Sequence, residues 1–414
     1  MNDNDLFILI CAFFVFLMQP GFVAFEAGLA RAHHALPVAL KNLMDWALTT
    51  IVFGFVGLGL MYGTSRDLIG TSGFGFDLAA IPNTTSLSTG VFILFQLGFA
   101  GTAVTIVSGA LIERISFPAY LCVSVAVAGL IYPIAGHWVW GGTLTGDDGW
   151  LAGLGYTDFA GASLVHVIGA VVALVGVLVV GPRLGRFDAD GNINTFESSS
   201  PAMSTFGVVI LWIGWWAFNG GSTLSFNEEV AMIILLTNIA GAGGLFGGAL
   251  YRWRSGGQLS LIAALVGGCL AGLVAITAGA NVLGPWSALL LGLAAGWLFG
   301  IGHDLCIKLQ IDDALMAFPV HGLGGGLGIV ATPLLARSGS FDHGRLAQTG
   351  IQLGGIVIVG LWAAAISFIV FAVLRKTIGL RIAPRSESGA APGAAADTGE
   401  DPYRTFNSDW ADLL

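Results

Sequence analysis

The sequence reads DFAGASLVHVIGA over residues 158–170 and DALMAFPVHGLGG over residues 313–325. Each stretch runs aspartate, six residues, valine, histidine, two residues, glycine, and each opens a long apolar segment. His166 thus follows Asp158, and His321 follows Asp313, at the same spacing. A titratable ring inside an apolar segment is a functional candidate when the surrounding solvent is lipid. The surroundings of the two stretches therefore decide how they are read.

Those surroundings are a membrane protein's. Of 414 residues, 55% are hydrophobic and only 10% are charged, with 62 glycines. Apolar runs of about 20 residues are long enough to cross a hydrocarbon core of about 30 Å as helices. Eleven are expected, at 5–29, 36–63, 86–112, 117–140, 158–181, 203–220, 229–251, 258–278, 284–304, 313–335 and 348–376. The first follows MNDND, acidic where a secretory signal is basic, and is read as a retained helix.

Of the 16 lysines and arginines, only Arg66, Arg337 and Arg345 fall on one side, leaving 13 on the other. Basic loops stay cytoplasmic, so the N-terminus is expected outside and the C-terminus inside. The net charge of −9 carries no nucleic-acid footprint. Cys11, Cys122, Cys269 and Cys306 lack metal-site spacing and are read as small buried hydrophobes.

Spans five and ten share the aspartate–histidine pattern, which suggests two five-helix halves. Five is odd, so the halves lie upside down relative to each other, an inverted repeat. The expected fold class is an all-α integral membrane protein: eleven transmembrane helices, two inverted five-helix repeats and a long eleventh helix, N-out and C-in. Residues 1–378 form the transport domain, with repeats at about 5–181 and 203–335 and helix eleven at 348–376. Residues 379–414 form a cytoplasmic tail.

As an α-helix, eight residues rise about 12 Å. Asp158 then sits at the outer mouth and Asp313 at the inner mouth, with both histidines near the midplane. Each aspartate stands where a carboxylate satisfies free backbone amides at a helix start. Asp158 has a second reading, as negative potential near an outer cation site. The alternative for each histidine is a helix-to-helix hydrogen bond.

FQLGFAG places Phe95 and Phe99 on one helical face, with Gln96 beside them. GWWAFNGGS closes span six with Trp215, Phe218 and Ser222 at helical spacing, and Asn219, Gly220 and Gly221 are expected to break the helix there. HWVWGG ends span four with Trp140. Such aromatics serve as packing or interfacial residues. Here Trp140, Phe99, Phe218 and Ser222 all lie at outer ends, where aromatic faces and one hydroxyl suit a small cation.

Together DFAGASLVHVIGA, FQLGFAGTAVTIVSGALIERI, WIGWWAFNGGS and IDDALMAFPVHGLGGGLG resemble the ammonium transporter, methylammonium permease and Rhesus protein family, on its ammonium transporter branch. The resemblance runs over most of residues 6–380. It implies a homotrimer in the cytoplasmic membrane with one pore per subunit, carrying ammonium or ammonia, with methylammonium as an analogue. It assigns Trp140, Phe99 and Ser222 to an external recruitment site and Phe99 and Phe218 to a gate below it. Phe95, Gln96, Trp215 and Asn219 lie close by, Asp158 supports the recruitment site, and His166 and His321 are twin pore histidines. No cofactor or metal is implied.

The chain departs from the family pattern in four places. Ala162 stands where glycine, serine or cysteine is usual, and the outer loop TGDDGWLAGLGYT is longer than usual. Glu26 replaces a tyrosine or glycine and is read as an inner-end carboxylate near Arg31. The tail IAPRSESGAAPGAAADTGEDPY replaces an acidic helix that couples subunits and meets a cytoplasmic nitrogen-signalling regulator, which puts that partner in doubt. Residues 386–400 read as flexible, and Tyr403, Phe406, Trp410, Leu413 and Leu414 form a short amphipathic end or a frayed terminus.

Ammonium and potassium share charge and size, so a pore separates them by demanding hydrogen bonds and then removing a proton. An unpaired cation pays several kcal/mol to enter a dry channel, which favours neutral ammonia there. Two neutral imidazoles supply donors, acceptors and a proton relay where leucine supplies none. A different class, an ammonium sensor reporting occupancy through its tail, uses the same site with little flux. Neither the NPA pair of a water channel nor a TVGYG filter occurs, no nucleophile and base mark an enzyme, and DADGNINTFES reads as a turn. His33, His34, His137, His303 and His343 are read as surface or interfacial.

Overall fold

The computed structural model of the chain describes residues 2–389 apart from 67, 148, 257 and 258. The proposed amphipathic end and residues 390–400 lie outside the described residues. Among the described residues, eleven apolar helices build the fold: α1 Asp3–Leu29, α2 Ala32–Tyr62, α3 Thr89–Leu111, α4 Phe117–Trp140, α5 Ala162–Val180, α6 Pro201–Gly221, α7 Glu229–Ser255, α8 Leu261–Ile276, α9 Pro285–Lys308, α10 Phe318–Leu335 and α11 Arg345–Thr377. Among the described residues, all but α8 are long and apolar enough to cross a bilayer.

Local chemistry sets several boundaries. Asn2 caps α1 through a side-chain oxygen 2.8 Å from the Asp5 amide. α1 is interrupted at Leu17, and Pro20, which has no N–H to return to residue 16, explains why the ladder breaks there. Pro201 and Pro285 open α6 and α9 where the missing donor costs nothing. α6 does not break at Asn219–Gly221 as expected; it stays helical through Gly221. Packing overrides glycine's low propensity there, because Gly221 faces Phe95 and Cys11 while Asn219 donates to the Thr237 hydroxyl at 3.0 Å.

Glycine explains how α7, α8 and α9 come together. Gly244 and Gly248 of α7 meet Gly268 and Gly272 of α8 backbone to backbone, and Gly296 of α9 lies on Gly244. A Cβ on Gly268 would stand 2.5 Å from the Gly244 carbonyl oxygen, closer than any real contact. Without a hydrophobic driving force in lipid, such close approach supplies the dispersion energy that joins helices. The outward surfaces of the bundle carry exposed Phe246, Trp253, Leu346 and Leu361, the complement of a lipid solvent. Cys11, Cys269 and Cys306 are buried, but Cys122 is exposed on α4, correcting its reading as a buried residue.

The start of the tail is ordered. Leu380 and Ile382 exchange backbone bonds with Ser116 and Arg114, and Pro384–Ser388 forms a short helix. Glu387 is 1% exposed: its carboxylate accepts from Arg381 at 2.7 Å and from the Leu184 amide at 2.7 Å. Residues 386–388, expected to be flexible, are therefore docked on the end of the bundle beside Arg114 and Leu184.

Candidate pore site

The two histidine segments do not begin as the sequence suggests. α5 and α10 start at Ala162 and Phe318, after the aspartates, and their first turns are π-helical at Ala162–Val167 and Phe318–Leu323. Three residues after each aspartate comes a left-handed residue, Gly161 at φ 99° and Met316 at φ 61°. This bend folds the following amides back onto the carboxylate. Asp158 Oδ1 accepts from the Gly161 and Ala162 amides, and Oδ2 accepts from the Ser163 and Leu164 amides and the Ser163 hydroxyl, all within 3.0 Å. Asp313 accepts from the Ala317 and Phe318 amides at 2.9 and 2.7 Å. The helix-start reading of both aspartates holds. Glycine is required at 161, since a Cβ there would meet Val165 at 2.7 Å and Trp140 at 3.1 Å. Ala162 is fully buried, and a Cβ on Gly325 would stand 2.4 Å from its carbonyl oxygen, so glycine is required at 325.

The geometry brings the two histidines together. His166 is fully buried, and its Nδ1 lies 3.2 Å from Nδ1 of His321. The ring planes are nearly parallel, inclined by 18°, with centroids 5.2 Å apart. One Nδ1 donates and the other accepts, so the two rings carry opposite tautomers. Among the described residues, His166 Nε2 has no hydrogen-bond partner, leaving a buried polar edge free.

A column of aromatic rings continues from this pair to the end assigned to the outside. Trp215 stacks on His166 at 5.2 Å, anchored by its Nε1 donating to Thr277 at 2.9 Å. Phe218 lies 5.8 Å from His166 and stacks on Phe99 at 3.9 Å. Phe99 meets Phe95 at 4.8 Å and Trp140 edge-on at 6.0 Å. Trp140 is fixed by its Nε1 donating to the Asp158 carbonyl at 2.9 Å. Ser222 donates to the Phe218 carbonyl at 2.8 Å, which leaves its oxygen lone pairs as acceptors. Gln96 and Asn219 are buried with carbonyl oxygens that have no partner among the described residues.

Other expectations need correction. Glu26 does not pair with Arg31: it is buried, and its Oε2 accepts from Asn42 at 2.9 Å and Ser108 at 2.8 Å. Arg31 turns instead to Glu113 at 2.8 Å. His34 and His137 are buried, not interfacial; His137 Nδ1 lies 2.7 Å from the Met61 carbonyl and Nε2 lies 3.1 Å from the Ser65 hydroxyl. The inner-loop Asp188 closes on the Asp190 and Asn192 amides at 3.0 and 2.8 Å, as a turn does.

Sequence reasoning missed a buried ionic cluster at the end of the bundle that carries the 181–200 loop and the start of the tail. Arg183 grips Asp312 through Nε and Nη2 at 2.8 and 2.9 Å and reaches Glu113 at 3.2 Å. Arg31, Arg183 and Arg186 surround the Phe196 ring. Burial alone would raise the Asp312 carboxyl, but the Arg183 and Arg114 charges outweigh it and hold the group well below the usual carboxylate range. Burial likewise opposes Glu113, and Arg183 and Arg31 more than offset it. The adjacent IDD in the sequence was the available signal. Next to the cluster, a cavity of 280 Å³ is lined by Asp313, Ala314, Met316, Pro319 and His303.

A bundle of apolar helices around a buried histidine pair and an aromatic column defines a multi-pass membrane transporter. The profile of the Ammonium Transporter Family matches residues 6–396, and the chain belongs to that family, whose members carry ammonium across the plasma membrane. Ammonium transporter Amt2 of Archaeoglobus fulgidus is 39% identical over 403 residues, covering 92% of this chain and 84% of its own. The ammonium transporter of Bacillus subtilis is 33% identical, covering 94% and 95%. Among solved structures, a Sensor Amt Protein superposes with a TM-score of 0.89 at 37% identity over 95% of this chain and 98% of that one. Mep2 of Saccharomyces cerevisiae superposes with a TM-score of 0.83 at 28% identity over 97% and 90%.

Proposed function

We propose that ammonium is recruited among Trp140, Phe99 and Ser222, loses its proton at or below the Phe99–Phe218 gate, and passes as ammonia along His166 and His321. The reading rests above all on the 3.2 Å Nδ1 contact between the histidines, directly beneath the aromatic stack. A neutral imidazole pair offers hydrogen bonds to ammonia while giving a bare cation no counter-charge. Asp158 acts by shaping the mouth: it holds the turn whose carbonyl fixes Trp140. Phe95, Gln96, Trp215 and Asn219 wall the passage, and the unpartnered Gln96 and Asn219 oxygens are acceptors for a donor-rich guest.

Residues 1–378 form this transport domain, which assembles as a homotrimer with its N-terminus outside and its C-terminus inside, and which has no enzymatic activity. The test is methylammonium uptake and ammonium-evoked current in proteoliposomes, for wild type and for His166→Ala combined with His321→Ala. Uptake in wild type with loss of selectivity in the double variant is expected; retained selectivity would overturn the histidine role. A second reading, an ammonium sensor, is favoured by the likeness to the Sensor Amt Protein. Saturable ammonium binding without flux in wild type would select it.

A further inference from the structure

Next to the recruitment residues, at the end assigned to the outside, the bundle holds a second cavity that the passage does not use. It measures 350 Å³ and is walled by the end of α4, the 152–159 segment, the 278–282 loop after α8, the end of α10 and the loop before α11. Four aromatic residues line it, Trp140, Tyr156, Phe159 and Phe341, whereas Phe99, Phe218 and Ser222 do not. Trp140 is the shared wall: it meets Phe99 edge-on at 6.0 Å on one side, and its Nε1 is held by the Asp158 carbonyl at 2.9 Å.

The walls are tied together by hydrogen bonds. The Phe159 and Ala160 amides donate to the Ala278 and Thr277 carbonyls at 3.2 and 3.1 Å, and the Arg337 amide donates to the Val282 carbonyl at 3.0 Å. Tyr156 donates to Ser163 at 2.7 Å, and its ring fills the notch that Gly355 leaves on α11. A pocket held open in this way loses little entropy when a ligand settles in it.

Its chemistry is that of a cation site without hydrogen-bonding demands. Lysine, arginine and histidine are absent from the lining, and the buried Asp158 carboxylate stands in the wall. Arg337 and His343 lie beside it but are exposed, Arg337 with Nη2 on the Asn281 carbonyl at 2.5 Å and His343 against Gly155, so water screens both. The Thr332 hydroxyl is already spent on the Gly328 carbonyl at 2.7 Å. Aromatic rings attract a cation through their negative faces and pack against methyl groups, which suits a methylated nitrogen. Size points the same way, because 350 Å³ holds about ten water-sized groups and an ammonium ion fills the place of one.

We propose that this cavity binds an organic ammonium ion with a methylated nitrogen, and that the bound charge opposes recruitment of ammonium across the Trp140 ring. Like charges on the two sides of one indole repel, so an occupied pocket raises the ammonium concentration that recruitment needs. A fully methylated nitrogen has no proton to release, so the ligand is held and not carried.

The test titrates choline into the full-length protein in detergent by calorimetry, beside its uncharged isostere in which a tert-butyl group replaces trimethylammonium. Choline should bind saturably, and the isostere at least about tenfold more weakly. Phe341→Ala removes a ring that has no part in recruitment; it should weaken choline about tenfold and leave methylammonium uptake in proteoliposomes unchanged. In wild type, choline should raise the methylammonium concentration for half-maximal uptake. No saturable binding, equal binding of the isostere, or an affinity that Phe341→Ala leaves unchanged overturns the site. So does an affinity that falls in Ser222→Ala, which would place choline among the recruitment residues. If Phe341→Ala does not fold, Ala152→Leu, which fills the cavity, decides in its place. Binding without the rise in half-saturation overturns the opposition to recruitment. The effect on recruitment rests on the transport reading, and a chain that takes up no methylammonium overturns that reading while calorimetry still decides the site.

Discussion

Asp158 and Asp313 occupy equivalent positions in the two halves, yet Asp158 holds four amides and a hydroxyl while Asp313 holds two amides. The Asp158 bend, assigned to the outside, turns on a glycine at φ 99° and the Asp313 bend, assigned to the inside, on a methionine at φ 61°. The outer turn is further pinned to the end of α8, with the Phe159 and Ala160 amides bonded to Ala278 and Thr277. One motif thus builds two unequal supports, because a carboxylate's worth depends on how many donors its loop can aim at it. The outer support is saturated and unstrained, whereas the inner one is sparse and pays for a left-handed side chain.

The sharpest way to break this contrast is to remove each carboxylate. Asp158→Ala strands several buried donors and should cost at least about 4 kcal/mol, whereas Asp313→Ala should cost about 1–2 kcal/mol. Thermal unfolding of the two variants in detergent measures the gap, and equal losses would erase the asymmetry. Acid probes the inner support differently, through Asp312 and Glu113. Their folded values lie below the ordinary 3.8 and 4.5, so the stability they add is complete above those values and lost as pH falls below them. The loss should be on the order of 2 kcal/mol, and hydrogen exchange between pH 6 and pH 3 should rise over 311–323 before it rises over 158–167.

Smaller effects sharpen the comparison. Gly161→Ala should cost about 2 kcal/mol from left-handed strain and the Val165 contact, whereas Met316→Gly should change stability by less than about 1 kcal/mol as relieved strain offsets lost packing. Chemical denaturation of both variants tests this. His166→Leu should lower methylammonium uptake about tenfold, the equivalent of one hydrogen bond of about 1.4 kcal/mol. Ser222→Ala should be mildest, raising the half-saturating concentration about threefold, since one acceptor among aromatic faces is lost.

The sequence made the helices legible, since apolar runs of spanning length are unambiguous in a chain this poor in charge. It also made the histidine pairing legible, because the repeat puts His166 and His321 in matched places. The π-helical first turns were not legible, as the same residues serve an α-turn equally well. Glu26 was misread because its partners Asn42 and Ser108 stand 16 and 82 residues away, and only the bundle brings them near. The end of α6 was misread because propensity took no account of what Gly221 and Asn219 touch.

The contact of bare backbones among α7, α8 and α9 has a mechanical consequence. Helices that touch through peptide groups have no side-chain layer to slide or repack, so these three behave as one stiff bulkhead. Any breathing that admits or releases a guest must then be borne by the remaining helices. The short α8 is sheltered by its neighbours from any demand to match the thickness of the surrounding lipid.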